Sequence, residues 1–287
     1  MKLSHLRRRI HSYLQPVTKK PAVSFIIRVV KELGEDNAGD MAASIAYYAI
    51  LSIFPLLLGA IALLGYFLPS ETVQAQIFDF SEQYIPGATH FIEDNIKSTI
   101  DLRGTLGVVS LIGLFWSGSA IFGAIGRAIN RAWDIYTYRP YYLRKLRDFI
   151  MAICSGLLFF ISMGLTALPS IIPAIDLPAL DLLSIILIRL AGFILIFAVI
   201  LLLYKFMPNT KVSWRYIWPG AALAAFSFEI ARTVFFIYVN NYANYDKVYG
   251  SFAAFIVFLI WIYLSAYILI IGAEFTSEYG RLRRKST

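Results

Sequence analysis

FIMAICSGLLFFISMGLTALPSII, residues 149–172, runs for 24 residues without one charged side chain, directly after the basic stretch YYLRKLRD. In an α-helix such a run is about 36 Å long, enough to cross a hydrocarbon core of roughly 30 Å. Its reading as a membrane span decides the fold, because five more apolar runs share its character, at residues 41–68, 106–125, 182–204, 217–239 and 252–273. Composition agrees: the chain of 287 residues is 59% hydrophobic and 15% charged, whereas soluble domains are about a quarter charged. The sequence thus predicts an all-α polytopic membrane protein with six transmembrane helices.

The net charge of +8 records topology first. Lys and Arg number eight before the first span, then two, six, none, three and one in the successive connections, and four after the last. Alternate sides therefore carry twenty-one against three, which by the positive-inside rule puts both termini in the cytoplasm. One cysteine, Cys154, and three scattered histidines, His5, His11 and His90, offer neither a disulfide framework nor a metal site, so no metal or cofactor is expected.

Three regions follow. Residues 1–40 are a cytoplasmic segment in which Phe25, Ile26, Val29, Val30 and Leu33 recur at helical spacing opposite Arg28, Lys31, Glu32 and Glu35. That pattern suits an amphipathic helix in the inner interface, or one packed on the underside of the bundle. Residues 41–273 form the transmembrane domain, including an outer helical hairpin at 69–103 that Ser70 can cap and Pro86-Gly87 breaks. Residues 274–287 are a basic cytoplasmic tail.

Polar residues inside the spans are the candidate site, because their desolvation is tolerated only with partners or a purpose. Ser44, Tyr48 and Ser52 fall on one face of the first span with Tyr47 beside them, lining a path or joining helices. FSFEIARTVFFIY, residues 226–238, sets Glu229 three residues before Arg232, a spacing at which the two can pair, and Arg189 stands at a similar outer depth in the fourth span. Arg189 and Arg232 would present a cationic pocket to an anionic headgroup. The other reading has Arg189 snorkelling to the outer headgroups beside a structural pair. The segment RAWDIYTYRPYYLRKLR, residues 131–147, mixes basic and aromatic residues, which amphipathic placement at a membrane surface explains better than nucleic-acid binding. No G-x-S-x-G elbow, glycine-rich phosphate loop or histidine–carboxylate grouping occurs, so the chain does not read as an enzyme.

Five ordered segments, MAASIAYYAILSIFPLLL (41–58), RAINRAWDI with its following RP (127–140), LLYKFMPNTKVSWRYIWPGAALAA (202–225), YVNNYANYDKVYGSFAAF (238–255) and LIWIYLSAYILIIGAEF (259–275), resemble the YihY/virulence factor BrkB family. The resemblance implies a bacterial inner-membrane protein of six spans, associated with envelope integrity, serum resistance and lipid export. It also implies the inherited label "ribonuclease BN", which belongs to a His-rich metallo-β-lactamase-type enzyme whose metal-binding pattern this chain lacks.

Two functions stand open. One is a transporter or flippase for an amphipathic anion, a phospholipid or glycolipid, with membrane lipids as its partners. The other is a scaffold that anchors envelope-assembly proteins. Topology is tested first: in a Cys154→Ala background, cysteines at Thr89 and Asn244 should react with an impermeant thiol reagent in intact cells, and one at Ser286 should not. Labelling at Ser286 reverses the orientation.

Overall fold

The structure of the chain, a computed structural model, describes residues 21–67, 106–137, 139–171, 178–241 and 252–285. Among the described residues every regular element is an α-helix: α1 (Pro21–Glu35), α2 (Ala38–Phe67), α3 (Leu106–Ala132), α4 (Tyr141–Ile171), α5 (Pro178–Phe206), α6 (Trp214–Asn241) and α7 (Ala253–Lys285). To within a residue, each apolar run read from the sequence lies inside one of the six longer helices. The stretches Trp214–Val239 and Phe255–Arg284 are long and apolar enough to cross a membrane. The hairpin expected at 69–103 lies outside the described residues.

Several helices overrun their apolar runs at one end, where α1, the α3–α4 link, the α5–α6 link and the last turns of α7 meet. The chain enters α2 through a sharp turn in which Asn37 takes the left-handed conformation, φ 53°, a region asparagine tolerates better than most residues. Asp134, also at φ 53°, ends α3 with Ile135 N–H donating to the Asn130 carbonyl at 2.8 Å. Helix α1 docks through Val29 and through Phe25, whose ring meets Phe275 edge-on at 4.9 Å, while Ile26, Ile27 and Val30 stay exposed.

The core is gathered at this same end and is rich in small residues: Ala38 and Ala42 of α2, Ala124 and Ala128 of α3, Ala221, Ala224 and Ala225 of α6, and Ala266 and Ala273 of α7. Small side chains let backbones approach, the packing mode of helices in lipid, where burying oil against oil gains little. The outer faces run the opposite way. On α4, Leu143, Leu146, Ile150, Ile153, Leu157 and Ile161 form an exposed stripe at helical spacing, and Phe226, Ile230, Val234 and Ile237 form another on α6. Apolar faces of this extent call for a lipid solvent.

The tightest approach is where α6 crosses α7. A Cβ added at Gly220 would stand 1.8 Å from Thr276 Oγ1 and 2.7 Å from the Gly272 carbonyl oxygen, and one at Gly272 would stand 2.3 Å from the Tyr204 hydroxyl. Tyr204, fully buried on α5, donates to the Leu269 carbonyl at 2.6 Å and so ties a third helix to the crossing. Gly220→Ala and Gly272→Ala should each lower thermal stability by the cost of overpacking, about 1–3 kcal/mol. Gly192→Ala, where a Cβ meets nothing within 4 Å, should not. Melting curves of the detergent-purified variants decide it, and equal midpoints would show that the crossing can open without loss.

Candidate functional site

The α5–α6 link, MPNTKVS, carries backbone polar groups into the end of the bundle, where they need partners. Two asparagines and an arginine supply them. Asn209 N–H donates to Asn130 Oδ1 at 2.7 Å, Asn130 Nδ2 donates to the Gly126 carbonyl at 2.6 Å, and Asn209 Nδ2 donates to the Thr137 carbonyl at 2.9 Å. Arg147 of α4 donates through Nη1 to the Met207 carbonyl at 2.6 Å and to Asn209 Oδ1 at 2.9 Å. Gly126 leaves room for this, since a Cβ there would lie 2.9 Å from Arg147 Nη2.

Arg147 also holds the buried Asp148, donating from Nε at 3.2 Å and Nη2 at 3.0 Å to Oδ1. Burial pushes the Asp148 carboxyl above its ordinary range, against the downward pull of Arg147, Lys145 and Arg144. The second oxygen, Oδ2, turns towards Gly123 of α3, where a Cβ would meet it at 3.2 Å and Arg127 Nη1 at 3.7 Å. Arg127 in turn lies over the Tyr48 ring, 5.4 Å from guanidinium carbon to centroid, and Lys145 Nζ lies 4.7 Å from the centroid of the Trp116 ring. Trp116 is 65% exposed and Arg127 is exposed. Arg127 of α3 and Lys145 of α4 are thus each laid on an aromatic face, Tyr48 of α2 and Trp116 of α3, and Gly123 lets the buried Asp148 come close to α3. Cations on rings in a partly desolvated setting are held at about 0.5–2 kcal/mol per pair and stay available to an anion.

Of the residues singled out in the sequence, Tyr48 is the one that meets these cations, under Arg127. Ser44 is half-buried, Ser52 is buried, and Tyr47 is exposed with its ring edge-on to Tyr48 at 5.5 Å. Glu229 and Arg232 are joined, Arg232 Nη2 donating to Glu229 Oε1, on a face of α6 where the arginine side chain is 52% exposed. The other glutamate oxygen, Oε2, is buried without a partner. Arg189 lies within α5, and its side chain is outside the described residues. Among the described residues no three His, Cys, Asp or Glu side chains gather as a metal-ligand set.

A profile of the family described as virulence factor BrkB matches residues 29–287. The chain belongs to the virulence factor BrkB family. Among its relatives, YfkH of Bacillus subtilis, which carries a ribonuclease-like name, is 30% identical over 260 residues, covering 88% of this chain and 94% of that protein. A UPF0761 membrane protein of Alkalilimnicola ehrlichii is 30% identical over 261 residues, and one of Alcanivorax borkumensis is 29% identical over 258. Those alignments cover 89% and 88% of this chain but only 58% and 59% of the two relatives, which are longer. No solved structure matches. With relatives named as membrane proteins and apolar helices of spanning length, this BrkB-family chain is a membrane protein.

Sequence reading missed Arg127, Lys145, Arg147 and Asp148 as site residues because it counted the cations only as topology markers. The signal present was Asp148 itself, the one acid in YYLRKLRD, set where the apolar run begins. In this BrkB-family chain, Arg147→Met should cost about 3–5 kcal/mol by leaving Asp148 buried without its partner. The loss should shrink under mildly acidic conditions, since a carboxyl whose folded value is raised binds its proton in the folded state and costs stability only as pH rises. Melting temperature against pH checks both; a loss that grows with acidity would refute the buried-charge account.

Proposed function

We propose that the chain is a multi-pass inner-membrane transporter of flippase type that handles an amphipathic anion, a phospholipid or glycolipid, in envelope maintenance. The observation that carries this reading is that Arg127 lies over Tyr48 and Lys145 over Trp116, with the buried Asp148 held by Arg147. A phosphate or carboxylate headgroup would find cations held on rings suited to the membrane boundary. The apolar stripe Leu146, Ile150, Ile153 and Leu157 on α4 would offer the acyl chains a surface beside it. A soluble anion would gain nothing from such a face.

In this reading the six long helices cross the membrane with both termini in the cytoplasm, which the basic-residue asymmetry of twenty-one to three supports. Arg127 and Lys145 take the headgroup on the inner side, and Ser44, Tyr47, Tyr48 and Ser52 form a polar lining along α2. The Glu229–Arg232 pair with Arg189 forms a second, outer station. No nucleotide-binding motif is present in the sequence, so the driving energy comes from a gradient or from a partner that removes the product.

Native mass spectrometry of the gently extracted protein tests the proposal. The parent should retain anionic lipid, and the double variant Arg127→Gln with Lys145→Gln should lose it. At roughly 1 kcal/mol for each cation near a headgroup surface, the affinity change is on the order of thirtyfold. A folded double variant that keeps the same lipid in the same amount ends the lipid reading and favours a scaffold for envelope-assembly proteins.

A further inference from the structure

Helix α1 has three sides. One turns to the bundle: Phe25 meets the Phe275 ring, Arg28 Nε pairs with Glu278 Oε2 at 3.2 Å, Val29 is buried, and Glu32 stands 3.8 Å from Arg281 Nη1. At 3.6 residues per turn these four side chains fall within a sector of about 100°. The rest of the circumference is divided. Ile26, Ile27 and Val30 hold one flank and are exposed, while Lys31 and Glu35, paired with each other at 3.0 Å, hold the other and are exposed too. A helix that keeps apolar and charged side chains on separate open flanks is built to meet two media.

The level of α1 along the bundle identifies them. Its partners Phe275 and Glu278 follow Ala273, where the last apolar run ends, so α1 meets α7 about 3–8 Å beyond that run. Headgroups fill a layer roughly 5–8 Å deep on each side of the hydrocarbon core. The crossing of α6 and α7 gives a second gauge. Gly220 faces Gly272 and Thr276 while Phe228 and Phe235 meet Trp261, so the two helices run antiparallel. Trp218 and Trp214, both exposed at the start of α6, therefore stand beside the same last turns of α7 that α1 meets. Exposed tryptophans gather at the boundary between lipid and water.

We infer that α1 is a membrane-surface helix whose Ile26, Ile27 and Val30 flank seats in the lipid interface at this end of the bundle, while Lys31 and Glu35 stay in water. This goes beyond the proposed function and does not depend on it. Lipid fits the flank better than a second copy of the chain does. Three side chains are far short of the roughly 800 Å² that each partner buries in a stable protein interface, whereas an interfacial helix has only to sink one narrow face by about 5–10 Å. Through Phe25–Phe275 and Arg28–Glu278 the bundle fixes the rotation of α1, so the last helix is tied to the membrane surface.

Fluorophores on single cysteines test the inference, in the full chain with Cys154→Ala, reconstituted in vesicles of phosphatidylethanolamine and phosphatidylglycerol. The four positions chosen are exposed, so a label at any of them spares the core. At Ile26→Cys and Val30→Cys, emission should fall severalfold when the phosphatidylglycerol carries bromine high on its acyl chains, and iodide on both sides of the membrane should quench little. Lys31→Cys and Glu35→Cys should show the reverse. Equal quenching by iodide on both flanks overturns the inference. Labels at Ile26→Cys and Val30→Cys that are shielded from both quenchers also overturn it, because protein would then cover the face.

Discussion

Everything at the described end of this protein depends on the approach of the α6 and α7 backbones at Gly220 and Gly272, where no side chain fits between them. In lipid there is little hydrophobic force between apolar helices, so association rests on close packing and on polar contacts that cannot be satisfied elsewhere. Both are present at this crossing. Thr276 returns its hydroxyl to the Gly272 carbonyl at 2.7 Å, and Tyr204 donates to the carbonyl at Leu269, so three helices share one contact. Because α7 is fixed there, its next turn is forced beneath α1 and α3, and the acids at 274 and 278 become interior residues.

The polar interior this creates is handled in two ways. Around the MPNTKVS link, the donors and acceptors are matched: Arg147 and the two asparagines pair with backbone groups that would otherwise be lost inside the bundle. Such a network specifies one arrangement, since each member is costly to leave unpaired. Around Glu274 the matching is incomplete, since its Oε1 and the Ser277 hydroxyl are buried without partners. The first network holds the α5–α6 link against α3 and α4; the second packs the end of α7 against α1.

Much of the architecture was legible in the sequence because apolar length is a strong signal: to within a residue, each predicted span falls within a helix. Where the helices end was not. Charged residues stop an apolar count but do not stop a helix, so α7 continues for twelve residues past Ala273, with Glu274, Thr276, Ser277 and Glu278 buried by neighbours. The same distinction explains the site. Spacing along one helix was readable, which gave the Glu229–Arg232 pair and the face shared by Ser44, Tyr48 and Ser52. The partners of that face are on other helices, and no single-helix pattern could bring Arg127 to Tyr48 or Lys145 to Trp116.

A consequence concerns how the two polar centres relate. Asp36 sits in the turn before α2, and from Ala38, where α2 begins, Tyr48 lies ten residues on, about 15 Å along the rod. A helix of this length moves as one body, so whatever shifts its entrance also shifts the ring on which Arg127 rests. The protein as a whole is basic, and at this end Arg127 and Lys145 rest on aromatic faces while Arg131 and Arg147 are engaged by Asp36 and Asp148.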